Sequence, residues 1–202
     1  MADSPNPFLT EAERRRLESA RIGIAGAGGL GSNCAMHLVR AGVTHLTIAD
    51  FDAVAESNLN RQFFFRDQIG RKKVDALAEN LRRVNASVKL VLLPIRLTRE
   101  NFAATFADCD ILVEAFDSAD AKAMFLASAS PLDKPMVMAS GLAGWGCSAA
   151  VAVKRMGSRL VVIGDGESGA GSNGLYPVSP RVGIAAAMEA NAVCSIILGH
   201  QL

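Results

Sequence analysis

The sequence predicts an α/β domain, a mostly parallel sheet with helices on both faces. Short apolar runs alternate with stretches of helical periodicity from Arg21 to Ala129, and a glycine turn, Gly26 to Gly31, joins the first run to the first long helical stretch. Strands that alternate with helices imply crossover connections, and these place helices on the two faces of a parallel sheet. A length of 202 residues suits one such domain with a sizeable core.

Each element follows from local chemistry. Thr10 and Glu13 have the spacing of a capping box, so a helix is expected from Glu11 to Ser19, preceded by a short arm; residues 1–20 form this leader and 21–202 the domain proper. Ile22 to Ala25 is a strand, Ser32 to Arg40 a helix that Gly42 stops, and Val43 to Ala49 the second strand. Lys72 to Val84 carries Val74, Leu77, Ala78 and Leu81 on one helical face. Val88 to Pro94 and Ile111 to Ala115 follow as strands, alternating with helices at Arg99 to Phe106 and Ala119 to Ala129.

The stretch Pro135 to Val153 is uncharged over nearly the length needed to cross a bilayer. Gly141, Gly144 and Gly146 interrupt it, so it is expected to hold two apolar strands, Met136 to Ala139 and Ala149 to Val153, around a turn. Gly164 to Gly174 is rich in glycine and poor in apolar surface, which predicts a mobile loop, either a plain linker or a flap that orders over a partner's tail. Pro180 to Leu198 is a small-residue-rich helix covering the sheet.

Charge and cysteine usage narrow the function. Lys and Arg number 21 against 20 Asp and Glu, and a net charge of +1 argues against nucleic acid as the main partner. Cys34, Cys109, Cys147 and Cys194 form no C-x-x-C pair, and the N-terminus has no apolar signal region, so reduced and mostly buried thiols, no membrane span and a cytoplasmic address are expected. His37, His45 and His200 lie apart and read as structural.

The glycine turn stands between a strand and a helix, where glycines let a phosphate approach backbone amides at the positive end of the helix. Asp50 ends the second strand 19 residues past Gly31, placed to accept ribose hydroxyls. That pair alone also describes an NAD-linked oxidoreductase, or a nucleotide-binding assembly module without turnover. A hydride-transfer site has no evident use for Asn58, Arg61, Gln62 and Lys73, whereas cations near a triphosphate neutralise charge that builds on its oxygens as pyrophosphate leaves.

Four stretches together carry a resemblance. They are the glycine turn, Asp50-Phe51-Asp52-Ala53-Val54-Ala55-Glu56-Ser57-Asn58-Leu59-Asn60-Arg61-Gln62, Ile69-Gly70 with Lys73-Val74, and the Asp117 that follows Ile111 to Phe116. In these the chain resembles the ThiF/MoeB family, ATP-dependent activators of ubiquitin-like sulfur carriers related to ubiquitin-activating enzymes. Its short length, Glu114-Ala115-Phe116-Asp117 and the Gly164-Asp165-Gly166 loop leading to Ser179-Pro180-Arg181-Val182 are most similar to the compact thiamine-pathway members, which adenylate the carrier ThiS.

The resemblance implies a Rossmann-like adenylation domain that binds ATP and Mg2+. It implies that Gly26, Gly28, Gly29 and Gly31 shape the phosphate turn and that Asp50 holds the ribose. Asp52, Asn58, Arg61, Gln62 and Lys73 would complete the nucleotide site; Arg61, Lys73 and Asp117 would be catalytic, with Asp117 at the magnesium. The partner implied is a small carrier with a Gly-Gly tail, in the thiamine, molybdopterin or a tRNA-modification pathway, and a homodimer is implied in which an N-terminal arginine reaches the partner's ATP; the arm here is too short to align, so Arg14, Arg15 and Arg16 read first as an exposed face of the first helix and only then as that arginine. The Phe63-Phe64-Phe65 run would support such an interface, since three consecutive aromatics cannot all face one side, or would fill the core. Family members with two C-x-x-C pairs bind zinc; those pairs are missing here, so no structural zinc is expected. Cys147 and Cys194 match no motif for a covalent link to the carrier, and Ser118 and Lys122 stand where Asn and Arg are usual.

Overall fold

The computed structural model describes residues 8–169 and 175–201. Thr10 caps the first helix, α1 (Glu11–Ser19): its hydroxyl accepts from the Glu13 amide while the Glu13 carboxylate accepts from the Thr10 amide. The chain then alternates through β1 (Arg21–Ala25), α2 (Gly29–Ala41), β2 (His45–Ala49), α3 (Lys73–Val84), β3 (Lys89–Leu93), α4 (Arg99–Thr105), β4 (Ile111–Glu114), α5 (Ala119–Ala129), β5 (Met136–Ala139), β6 (Ala152–Met156), β7 (Leu160–Gly164) and α6 (Ser179–Leu198). Gly42 ends α2 in the left-handed conformation with φ of 112°, the stop the sequence predicts.

The seven strands form one sheet in the order β3-β2-β1-β4-β5-β7-β6. Every pairing is parallel except β6 with β7. The strand order runs outward in both directions from β1 and β4, so a crevice opens at the carboxyl ends of that pair, where open α/β sheets place their ligands. This is the mostly parallel, Rossmann-like architecture that the sequence predicts.

Two apolar layers cover the sheet. On one face α2, α3 and α6 bury Leu38, Leu77, Ala185 and Val193 against Ile24, Ile48 and Val113. On the other, α4 and α5 meet through Phe102, Phe106 and Phe125, whose rings pack edge to face at 5.0 and 5.3 Å. Among the described residues, α6 is the one helix long and apolar enough to cross a membrane, and it packs along α2 with Ala185, Ala186 and Ala192 fully buried.

The structure corrects three expectations. The strand expected at Ala149 to Val153 begins later, at Ala152, because Ser148–Ala150 close a single helical turn. The strand β7 was not anticipated: β6 is an exposed antiparallel edge carrying Lys154 and Arg155, and its charges mask the hairpin that returns into the sheet. Cys147 is exposed, in the left-handed conformation at φ of 43° where it caps the Ser148–Ala150 turn, while Cys34 and Cys109 are buried. Of the loop expected to be mobile from Gly164 to Gly174, the part 170–174 lies outside the described residues. The part before it is a hydrogen-bonded turn around Asp165.

Candidate nucleotide site

A cavity of about 540 Å³ opens at the crevice between β1 and β4. Its lining comes from the carboxyl ends of five parallel strands: Gly26, Gly28 and Gly29 after β1, Asp50 to Asp52 after β2, Ile95 to Leu97 after β3, Ala115 to Asp117 after β4, and Ser140 to Ala143 after β5. Such a volume falls in the range of small-molecule sites.

The turn into α2 is built for close approach. Gly28 is the N-cap and no side chain caps the helix, so the first amides face the cavity at the positive end of a 13-residue helix. Gly31 has a different duty: a Cβ there would lie 1.9 Å from the Gly26 carbonyl oxygen, so it permits the tight turn and does not line the cavity. Two side chains of α2, missed in the sequence, then fasten the following loop. Asn33 donates to the Arg61 carbonyl at 2.9 Å, and the Ser32 hydroxyl accepts from the Phe63 amide at 3.0 Å.

Asp50 is buried, with Oδ2 accepting from the Ala27 amide at 2.7 Å and Oδ1 from the Asp52 amide at 2.8 Å. A carboxylate offers about four lone-pair directions, so each oxygen keeps acceptor capacity toward the cavity. Residues 52–54 pair with 70–73 through a bridge between Ala53 and Lys72, and the Lys73 amide donates to the Asp52 carbonyl. That pairing sets Lys73 Nζ 2.8 Å from Asp52 Oδ2, with the lysine only 6% exposed on the cavity wall.

Arg61 also lines the cavity, its guanidinium donating to the Asn60 side chain at 2.7 Å and the Ser57 carbonyl at 3.2 Å. Gln62 lies beside it, and its buried Oε1 has no hydrogen-bond partner among the described residues. An orphaned buried acceptor is costly unless a ligand satisfies it. Asp117 is exposed at the cavity edge. Asn58, expected at the phosphates, stands off the cavity: its Oδ1 accepts from the Ala55 amide at 3.0 Å and closes a single helical turn.

Lys122 lines the cavity floor, yet its ammonium is spent inside the protein on both Glu114 oxygens, at 2.8 and 3.1 Å, and on the Ala139 carbonyl at 2.8 Å. Burial pushes the Glu114 pKa up against the pull of Lys122. Behind this pair, burial and the nearby Glu114 push fully buried Glu189 well above the carboxylate range. Neither Glu189 oxygen has a partner among the described residues, and a protonated, neutral carboxyl is the form such a place tolerates. A further feature missed in the sequence is the Arg96 guanidinium, 3.8 Å over the ring of Phe51, both on the cavity wall.

No histidine lines the cavity, and His45 Nδ1 lies 2.9 Å from the Glu18 carbonyl. Burial raises the Cys194 thiol to about 11, which suits a structural role. Among the described residues no group of three or more His, Cys, Asp or Glu side chains could hold a metal ion by itself. Arg15 pairs with Glu11 along α1, and Arg16 donates to the Leu198 carbonyl at the end of α6, so both are engaged within the chain.

The ThiF family model matches residues 4–202. The adenylyltransferase and sulfurtransferase UBA4 of Eremothecium gossypii is 31% identical over 91% of this chain and 39% of its own length. The protein of the same name from Aspergillus clavatus is 39% identical over 67% of the chain and 28% of its own. The chain thus spans well under half of these relatives. Among solved structures, E. coli tRNA N6-threonylcarbamoyladenosine dehydratase, TcdA, in complex with AMP superimposes with a TM-score of 0.84 at 20% identity, covering 94% of this chain and 90% of that one. E. coli MccB with AMPCPP and MccA gives 0.72 at 19%, covering 94% and 59%. At such identities the likeness extends to the fold.

Proposed function

The chain belongs to the ThiF family, and from that premise we propose that it is a nucleotidyltransferase that uses ATP to adenylate the C-terminal Gly-Gly carboxylate of a small ubiquitin-like sulfur carrier. The observation that carries this reading is the placement of Arg61 and Lys73 on the same cavity wall as the Gly26–Gly29 turn and Asp50. Two cations beside an uncapped helix start suit a triphosphate, which an NAD-linked oxidoreductase does not need.

In the proposed reaction the ribose hydroxyls rest on Asp50 and the phosphates on the amides of Gly28 and Gly29, with the free acceptor of Gln62 taking a donor from the ligand. A carrier carboxylate oxygen forms a bond to the α-phosphorus. The bond from that phosphorus to the bridging oxygen of the β-phosphate breaks, and pyrophosphate leaves with the electron pair. No proton changes hands, because a carboxylate is already a nucleophile at neutral pH, so the residues need to position the reactants and neutralise charge. Lys73 and Arg61 do this, shifting from Asp52 and Asn60 toward the phosphate oxygens. Asp117 has the hard oxygen donor that Mg2+ prefers, and the ion would complete its shell with phosphate oxygens and water, offsetting their charge.

The UBA4 relatives are adenylyltransferases and sulfurtransferases by name, and MccB is seen together with AMPCPP and MccA, which supports adenylation of a partner presented at the cavity. The neighbour TcdA acts on tRNA by its name; a net charge of +1 here gives no overall basic field to favour a polyanion. A thiamine-pathway carrier of the ThiS type is the finer assignment; its support is the likeness of the Glu114–Asp117, Gly164-Asp165-Gly166 and Ser179-Pro180-Arg181-Val182 stretches to those members. Phe65, 47% exposed beside the partly buried Phe63, is the surface on which a second copy would pack in the homodimer that belongs to this reading.

The test is exchange of labelled pyrophosphate into ATP with purified carriers, a ThiS type and a second Gly-Gly-tailed sulfur carrier tried in parallel. Carrier-dependent exchange supports adenylation, and the carrier that drives it names the pathway. Binding of NAD without binding of ATP contradicts it.

A further inference from the structure

The cavity wall opposite the glycine turn is held by an ion pair, buried Arg181 with partly buried Asp165, that takes no part in the proposed reaction. Arg181, in the first turn of α6, is 5% exposed. Its Nη2 donates to Asp165 Oδ2 at 2.6 Å and its Nη1 to the Gly146 carbonyl at 3.0 Å. Asp165 in turn accepts from the Ser168 amide at 2.8 Å and the Ser168 hydroxyl at 2.6 Å. Ser168 receives the amides of the cavity wall, Leu142 on its carbonyl at 3.2 Å and Ala143 on its hydroxyl at 3.1 Å.

One guanidinium thereby ties together three segments far apart in sequence: the turn after β5, the turn after β7 and the start of α6. The fit is close, since a Cβ on Gly141 would lie 1.9 Å from Asp165 Oδ1. Burial works against the Asp165 charge, but the hydrogen bonds from Ser168 and Glu167 and the nearby Arg181 outweigh it and hold its pKa below the usual value, so the pair stays ionised at neutral pH.

A buried ion pair contributes little net stability compared with an apolar replacement, and its best attested use is to select one arrangement of the chain. The buried Arg181 Nε, which has no partner among the described residues, adds a cost that packing alone does not explain. The phosphate side of the cavity is held by other contacts, those of Asn33, Asp50 and Asp52, and none of them involves Arg181.

We propose that Arg181, acting through Asp165 and Ser168, is a positioning residue that holds the Leu142–Ala143 wall where the carrier's C-terminal tail lies against the nucleotide. This rests on the adenylation reading above. It assigns the two walls to two substrates.

The experiment measures ATP affinity, carrier KM and kcat by pyrophosphate exchange with the ThiS-type carrier, in the wild type, Arg181→Met, Arg181→Lys and Asp165→Asn. The chain's single tryptophan, Trp145, is 72% exposed and adjoins Gly146, so acrylamide quenching of its fluorescence reports the turn itself. Arg181→Met is expected to raise carrier KM about tenfold, equivalent to about 1.4 kcal/mol, with ATP affinity and kcat near wild type and stronger Trp145 quenching. Arg181→Lys restores part of the KM by keeping a cation beside Asp165. ATP affinity that falls as far as carrier affinity, or an unchanged KM, overturns the assignment. If Arg181→Met does not fold, the isosteric Asp165→Asn carries the same comparison. If the wild type shows no exchange with any carrier, the adenylation reading fails instead, and unchanged quenching in the variants then overturns the positioning role as well.

Discussion

The two walls of the cavity are made in different ways. The nucleotide wall comes mainly from one stretch, Gly26 to Lys73, which is tied to itself by several separate contacts: Asp50 on Ala27 and Asp52, Asn33 on Arg61, Lys73 on Asp52. The opposite wall joins the turns after β5 and β7 and the start of α6 around one guanidinium, that of Arg181. A wall held by several ties keeps its geometry when one is lost. A wall gathered on one side chain can be displaced by a single substitution.

That contrast can be broken most severely at Gly31. Gly31→Ala drives a methyl into the Gly26 carbonyl, so the turn and helix must part. The expected loss is several kcal/mol, about 3 or more in the range of severe packing clashes, together with ATP binding; chemical denaturation and nucleotide titration check it. Asp50→Ala removes the acceptor of two backbone amides and of the ribose. ATP affinity should fall about 100-fold, since hydrogen bonds to a charged group contribute about 1.5–3 kcal/mol each, while Trp145 quenching stays at the wild-type level.

Glu189 lies behind both walls, facing Glu114, Lys122 and Cys34. Its folded pKa is raised, so the native state holds a proton that the unfolded chain releases above about pH 4.5. Stability is therefore lost as pH rises from that value toward the folded pKa. Glu189→Gln abolishes this loss, so the melting temperature of the variant should gain on the wild type between pH 5 and pH 8, by about 2–4 °C for each kcal/mol. A constant gap across that range would show that Glu189 is not the titrating group. The smallest effect is expected from Arg96→Ala, which removes the cation from the Phe51 face. ATP affinity should weaken by a few-fold, since such contacts contribute about 0.5–1 kcal/mol at exposed sites, with carrier KM unchanged.

The same contrast decides what was legible in the sequence. From β1 to α5 the periodicities alternate cleanly and the glycine turn and the Asp50–Gln62 run are contiguous, so the order of elements and the gathering of Arg61, Gln62, Lys73 and Asp117 around one cavity could be anticipated. Asn58 could not be placed, because a short polar side chain closes its own turn as readily as it reaches a ligand. After β5 the legibility fails. The edge strand β6 carries charges that hide its pairing with β7. Asp165 and Arg181, 16 positions apart, stand in two stretches that carry the family resemblance, but nothing in either stretch pairs them, and only the folded sheet brings them within 2.6 Å. The exposure of Cys147 likewise follows from a turn whose direction the local sequence does not encode.

The most direct measurement of the central claim is carrier-dependent exchange of pyrophosphate into ATP in Lys73→Ala and Arg61→Ala. Each variant is expected to keep the wild-type melting temperature to within a few degrees and to lose about 100-fold or more in exchange rate, the scale of removing one charge-stabilising group. Folded variants that exchange pyrophosphate at the wild-type rate would contradict the account, because the two cations on the cavity wall would then have no part in transferring the nucleotide.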